Sequence, residues 1–172
     1  MNETYNLTRP KQSTIKNYTE LMWKGKRPYE STQYYPAQLC ERYGEEVNGW
    51  INKIFWGDNL QVMSHLLKEY RGKIDLIYID PPFDSKSNYK KKIKIKGLEK
   101  TETISFEEKQ YGDIWVNDEY LQFMYERLTI MYHLLSDEGA IYIHCDWHKS
   151  AQLRCICDTI FGHENFRNEI IW

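Results

Sequence analysis

INKIFWGDNLQVMSHLLKEYRGKIDLIYID, residues 51–80, is the stretch that decides the fold. It divides into a short apolar run at 51–56, a turn at Gly57 and Asp58, an amphipathic stretch, Gly72, and a second apolar run at 74–79. Leu60, Met63, Leu66 and Leu67 recur at the spacing that places side chains on one face of a helix. The reading is strand, helix, strand. Two short buried strands joined by a crossover helix form a right-handed unit of a parallel sheet, expected to be covered on both faces.

Moving outward, EYLQFMYERLTIMYHLLSDEG at 119–139 carries Leu121, Met124, Leu128, Met131 and Leu135 at intervals of three and four, with Asp118 as a candidate N-cap and Gly139 as a stop. AIYIHCD at 140–146 reads as a strand, SAQLRCICDTIFG at 150–162 as a helix ending at Gly162, and FRNEIIW at 166–172 as the start of one more strand. Such alternation predicts an α/β fold with a doubly wound, mostly parallel sheet. Ligands bind such sheets at the carboxyl ends of the strands, where Asp58 and Asp80 fall, with Asp146 a third candidate.

Residues 1–50 read as an extension punctuated by Pro10, Pro28 and Pro36, with short helices expected around 11–22 and 37–43. Residues 51–172 read as the α/β domain. Within it, 84–117 shows no strong helix; Ile93 and Ile95 alternate with Lys92, Lys94 and Lys96, which predicts a lysine-faced hairpin or flap. A loop of that length in a compact domain is usually functional or mobile.

At 172 residues, one domain with a sizeable core is expected. An apolar content of 41% beside 28% charged residues is that of a folded globular chain, neither disordered nor membrane-embedded. No apolar stretch is long enough to span a bilayer and no signal-peptide pattern opens the chain, so a cytoplasmic location is expected. Cys40, Cys145, Cys155 and Cys157 have no framework spacing and are expected to be reduced. The formal net charge of −2 excludes a uniformly basic coat, so any nucleic-acid contact must come from a local patch.

The chemistry concentrates where the second apolar run ends, at Asp80-Pro81-Pro82-Phe83. Consecutive prolines fix φ, lack amide hydrogens and cannot continue a ladder. An acid plus a proline carbonyl are two acceptors with no donor, which suits an amino group carrying two hydrogens; Phe83 adds a flat surface on which a base could stack. Accepting both hydrogens of an exocyclic amine would free its lone pair and stabilise the positive charge that develops on alkylation. The plainer reading is a strand-ending turn.

Taken with WGDNLQVMSHLLKEYRGKIDLIYIDPPFDS, MYERLTIMYHLLSDEG, AIYIHCDWH and DTIFGHENFRNEIIW, in that order, this motif resembles the N-4/N-6 family of DNA methylases. The similarity is to the permuted group with the catalytic motif first, and particularly to adenine-specific enzymes of type III-like restriction-modification systems. The resemblance implies a Rossmann-like methyltransferase fold with S-adenosylmethionine as donor and double-stranded DNA as substrate. Asp80, Pro81, Pro82 and Phe83 would form the catalytic motif, with Asp80 and the Pro81 carbonyl on the target amine and Phe83 stacked on the base. Asp58 would accept from the donor's adenine amino group, with Asn59 beside it and Asp80 bordering the donor; Asp58 would equally serve as a helix N-cap.

A target amine paired in a duplex must be flipped out. Lys86, Lys90, Lys91, Lys92, Lys94 and Lys96 could supply phosphate contacts, or could form an ordinary solvated face. A restriction subunit or a second copy of the chain is the implied protein partner. His144, Asp146 and His148 alternate as metal ligands could, but the strand is expected to end near Asp146, so no metal is expected there.

The family pattern also includes a Phe-x-Gly-x-Gly segment around the donor and a recognition domain. No Gly-x-Gly occurs in the 172 residues. The chain is therefore expected to be the first portion of a methyltransferase, with a sheet incomplete at its C-terminus, weak donor binding and no activity by itself. Cytosine-N4 methylation is the alternative within the family, where serine more often replaces Asp80. A catalytically silent nucleic-acid-binding or interaction module is the alternative outside it.

Overall fold

Helix α2, Glu119–Leu134, is the element around which the rest is arranged. Tyr120, Leu121, Met124, Leu128, Ile130, Met131 and Leu134 are all buried, so it is covered by neighbours on most of its circumference. The computed structural model describes residues 3–8, 20–83, 88–91, 108–112 and 119–171, with backbone alone described at 88–91 and 108–112. The proposed cap at Asp118 lies outside them.

On one side of α2 packs α1, Asn59–Tyr70, through Met63 and Leu67. Asp58 is extended (φ −61°, ψ 127°), and its Oδ1 accepts from the Leu60 and Gln61 amides at 3.0 and 3.3 Å. These amides have no partner inside the helix, and the carboxylate also complements the positive end of the helix dipole. At the other end Gly72 takes φ 66°, a left-handed conformation that glycine adopts without penalty. Its amide donates to the His133 carbonyl at 3.0 Å, so the exit from α1 is docked on α2.

Strand β3, Ile74–Ile79, then pairs parallel with β6, Leu135–Ile143, aligning Leu76 with Ala140 and Ile79 with Ile143. The βαβ reading therefore applies to different strands from those expected: the parallel partner of β3 follows α2. Residues 51–56 form no strand, and Ile54 and Trp56 are fully exposed. An apolar run supplies a face for a strand but not a ladder neighbour, and none pairs with it among the described residues. The same holds for 166–171, where Ile170 and Ile171 are exposed.

Helix α2 stops before Gly139, because β6 begins at Leu135. The register slips between Ile74↔Leu135 and Leu76↔Ala140, so β6 bulges there. Gly139 permits this: a Cβ at that position would lie 2.7 Å from the Ile74 carbonyl oxygen. Helix α3, Ser150–Phe161, ends at Gly162 as expected, its last turn closed by the Gly162 amide on the Asp158 carbonyl.

Ile77, Ile79, Ile141 and Ile143 face the core that α1, α2 and α3 share. Leu76, Tyr78 and Tyr142 face the other way and are 62%, 65% and 51% exposed. Among the described residues, then, the parallel pair is covered on one face, not on both.

The first fifty residues hold two short strands that the sequence reading did not propose, and no helix among their described residues. β1, Thr4–Asn6, pairs antiparallel with β2, Ser31–Gln33, and Leu7 and Trp23 join the core beneath α2. Residues 37–43 form no helix, and neither do 20–22; the rest of the expected helix at 11–22 lies outside the described residues. Asn48 and Gly49, both at positive φ, make a two-residue turn that returns Trp50 onto Val47, with amide to carbonyl distances of 2.9 and 3.0 Å. In the lysine-rich segment, β4, Asn88–Lys91, pairs antiparallel with β5, Glu108–Gly112.

Candidate functional site

The carboxyl ends of β3 and β6 stand side by side. The His144 amide donates to the Ile79 carbonyl at 2.9 Å. There the ladder must end, since Pro81 and Pro82 have no amide hydrogen. Asp80 leaves the sheet into solvent, while Pro81, Pro82 and Phe83 are half-buried. Phe83 lies against His144 of the neighbouring strand, with ring centroids 5.5 Å apart and planes inclined at 36°.

Behind this turn is a cleft of about 580 Å³ lined by Asn59, Tyr78, Ile79, Asp80, Pro81, Pro82, Phe83, Phe123, Met124, Arg127 and Met131. That size is typical of small-molecule sites, and so is the pattern of an apolar floor with a few polar groups at its edge. Helix α2 provides the floor, through Phe123, Met124 and Met131.

Arg127 is the buried charge in this floor, at 7% exposure. Its Nη2 donates to Asp58 Oδ2 at 3.0 Å, its Nε to Asn59 Oδ1 at 2.6 Å and its Nη1 to the Phe123 carbonyl at 3.3 Å. The guanidinium carbon lies 3.4 Å from the Phe123 ring centroid, a cation–π stack. A buried guanidinium is tolerated only when its donors are met in this way.

The structure thus brings Asn59, Asp80, Pro81, Pro82 and Phe83 to one cleft. Asp58 lies just outside it, on the far side of the Arg127 bridge, where it borders a smaller groove of about 280 Å³ with Tyr29, Thr32 and Tyr35. Its side chain is half exposed. It acts as the N-cap that the sequence suggested, and a carboxylate has lone pairs left after accepting from Leu60, Gln61 and Arg127.

Lys90 and Lys91 lie on β4, whose backbone alone is described, and Lys86, Lys92, Lys94 and Lys96 lie outside the described residues. His144, Asp146 and His148 do not converge. His148 Nδ1 is 2.8 Å from Asp146 Oδ2, whereas His144 packs on Phe83. Among the described residues no group of three or more His, Cys, Asp or Glu side chains is placed to hold a metal ion.

The sequence reading missed Arg127 and the floor residues Phe123 and Met131. A signal was present: Arg127 interrupts an otherwise apolar helical row, Met124, Leu128 and Met131. A cation in such a row must be paired once the helix is buried.

Two cysteines close to β6 and α3 are perturbed. Burial pushes the Cys157 thiol up to about 12, with the Asp158 and Cys145 charges adding to it and Arg154 opposing. Burial, then Asp146 and Glu169, also raises Cys145.

A helix-floored cleft at the carboxyl ends of paired parallel strands, rimmed by an acid and two prolines, marks a mixed α/β protein with a candidate ligand site at its strand ends. The chain belongs to the DNA methylase family, whose model matches residues 74–172. It is 31% identical over 139 residues to the type III restriction-modification enzyme EcoP15I Mod subunit of Escherichia coli, covering 74% of this chain and 22% of that protein. It is 34% identical over 125 residues to the type II methyltransferase M.EcaI of Enterobacter cloacae, covering 69% and 23%. Over 172 residues it is 29% identical to the probable type III restriction-modification enzyme HindVI Mod subunit of Haemophilus influenzae, covering 94% and 20%. The chain spans about a fifth of the length of these curated relatives.

Proposed function

We propose that this chain carries the target-amine and donor-binding face of a DNA methyltransferase that acts on the N6 amino group of adenine, with S-adenosylmethionine as methyl donor. The observation that carries the reading is the turn at 80–83: an exposed carboxylate and an adjacent proline carbonyl, with no competing amide donor, at the mouth of an apolar-floored cleft. The sheet would be completed as a doubly wound, Rossmann-like one, in keeping with the family match. Double-stranded DNA in the cytoplasm is the substrate, and the partner is a restriction subunit or a second copy of the chain; the first of these partners is supported by the names of the type III relatives, each a Mod subunit of a restriction-modification enzyme.

The cleft fits the donor in size and chemistry. Met124, Met131 and Phe123 offer apolar and polarisable contact to an adenosyl group and a sulfonium, while Asn59 Oδ1 at the cleft and the Asp58 carboxylate just outside it have lone pairs, beyond those that Arg127 and the α1 amides engage, to accept from an adenine amine. When bound, the donor supplies an electrophilic methyl group. The chain's own residues do the rest. Asp80 and the Pro81 carbonyl accept both hydrogens of the target amine, which frees its lone pair and stabilises the charge growing on nitrogen. Phe83, backed by His144, presents a face to the flipped base, and stacking there offsets part of the cost of extrusion. The lysines of 86–96 would neutralise phosphates.

Asp80 favours adenine over cytosine, since the family more often has serine there in cytosine enzymes. The test is nucleoside mass spectrometry of DNA from a methylation-deficient bacterial host carrying the gene that encodes this chain, wild type or Asp80→Ala. N6-methyldeoxyadenosine from the wild type alone supports the reading. N4-methyldeoxycytidine would replace it with the cytosine reading, and neither base would leave a silent binding module.

A further inference from the structure

Arg127 joins the two sides of the cleft. Buried in the floor on α2, it reaches across to the consecutive residues 58 and 59 with different nitrogens, Nη2 to Asp58 Oδ2 at 3.0 Å and Nε to Asn59 Oδ1 at 2.6 Å. A single charge pair would fix only the distance between α2 and the turn. Two directed bonds from one planar group, with that plane stacked 3.4 Å from the Phe123 ring centroid, also fix the turn's orientation. Asp58 is held from both sides, because its other oxygen caps α1.

We propose that Arg127 is a positioning residue for donor binding. It holds Asp58 and Asn59 in acceptor geometry and sets them against the floor shared with the Asp80–Phe83 turn. The inference rests on reading residues 58 and 59 as the donor-contacting turn. It adds that donor affinity depends on the shape of the guanidinium, not only on its charge. A lysine at 127 keeps the charge but lacks the fork and the stacking plane, and a methionine keeps the apolar bulk alone.

The experiment is equilibrium dialysis of methyl-tritiated S-adenosylmethionine against the 172-residue chain and its Arg127→Lys, Arg127→Met and Arg127→Ala variants, each with a thermal unfolding curve. Arg127→Ala is also measured in the presence of free guanidinium ion. Loss of both directed bonds is expected to weaken donor binding about tenfold or more in Arg127→Lys as well as Arg127→Met. Guanidinium is expected to restore part of the affinity of Arg127→Ala and to leave the wild type unchanged.

Should the variants fail to fold, the wild type decides. The Arg127 Nε–H resonance is expected to shift on donor titration along the same saturation curve as the Asn59 amide, and a resonance that does not respond overturns the inference. Arg127→Lys binding the donor as the wild type does would overturn the positioning role while leaving the donor site standing. A wild-type chain with no saturable binding would overturn the donor site and the positioning role together.

Discussion

Asp80 owes its availability to what surrounds it: the last β3–β6 rung lies one residue earlier, and two prolines follow that cannot donate to it. Asp80→Ala is therefore expected to leave folding intact while lowering methyl transfer by roughly two to three orders of magnitude, the scale of losing a directed stabilising contact to a developing charge. Nucleoside mass spectrometry beside a circular dichroism melt measures both. Cys157 gives a second test. Its thiol is pushed from an ordinary 9.0 up to about 12 because ionising it would place charge against the core. The neutral thiol thus stabilises the fold fully below the ordinary value, and that contribution is lost as pH rises from 9.0 towards about 12. Urea unfolding of Cys157→Ala is expected to decline less steeply over that window than the wild type. Alkylation followed by mass spectrometry at mildly alkaline pH should label exposed Cys40 first and Cys157 last. At this scale the acid-proline-proline-aromatic turn and the Asp58 cap were legible, because backbone chemistry alone dictates them. Arg127 was not, since its role depends on a partner sixty-eight residues away in sequence.

The three long helices and the strands at 74–79 and 140–143 were readable as elements; the strand pairing was not, and the helix expected at 37–43 is absent. The apolar periods of α1, α2 and α3 predicted their existence, and Gly72 and Gly162 predicted two of their ends. Strand pairing is a long-range property, so residues 51–56 and 166–171, which have the composition of strands, form no strand and have no ladder partner among the described residues. Conversely, β1 and β2 were missed because three residues are too few to show alternation. The Asn48-Gly49 turn carried a sequence signal that went unread: the dipeptide most suited to two consecutive positive φ angles. The bulge in β6 is testable directly. Gly139→Ala would bring a methyl group to 2.7 Å from the Ile74 carbonyl. The strands must then separate or the bulge relocate, with an expected loss of about 1–3 kcal/mol in urea unfolding. Gly72→Ala meets no neighbour within 4 Å, so its expected cost is the left-handed conformation alone, about 1–2 kcal/mol.

Seen whole, the described residues form a well-filled core, and the outer face of the parallel pair is left open. Among the described residues, half of the buried apolar cluster comes from α2, including Leu128 and Ile130, which have no exposed surface. Leu76, Tyr78 and Tyr142 on the outer face of the parallel pair are more than half exposed. An apolar dye that fluoresces on hydrophobic surfaces is expected to bind there, and Leu76→Lys with Tyr142→Lys should reduce its signal without lowering thermal stability. Unchanged fluorescence would place the dye elsewhere. The doubly wound expectation was right about parallel strands with helices against them, but only one covered face is present among the described residues. The cleft's position at the carboxyl end of the sheet followed from that topology. Its floor did not, because the sequence shows which helix faces are apolar but not which one a strand end will meet.

The claim on which the rest depends is that the turn at 57–59 and the cleft beside it hold the methyl donor. Calorimetric titration of the 172-residue chain with S-adenosylmethionine, in parallel with Asp58→Ala, tests it most directly. Saturable binding by the wild type is expected, with affinity reduced about tenfold or more in the variant, as for the loss of a hydrogen bond to a charged group. Absence of binding by a chain shown to be folded, or equal binding by Asp58→Ala shown to be folded, would contradict it.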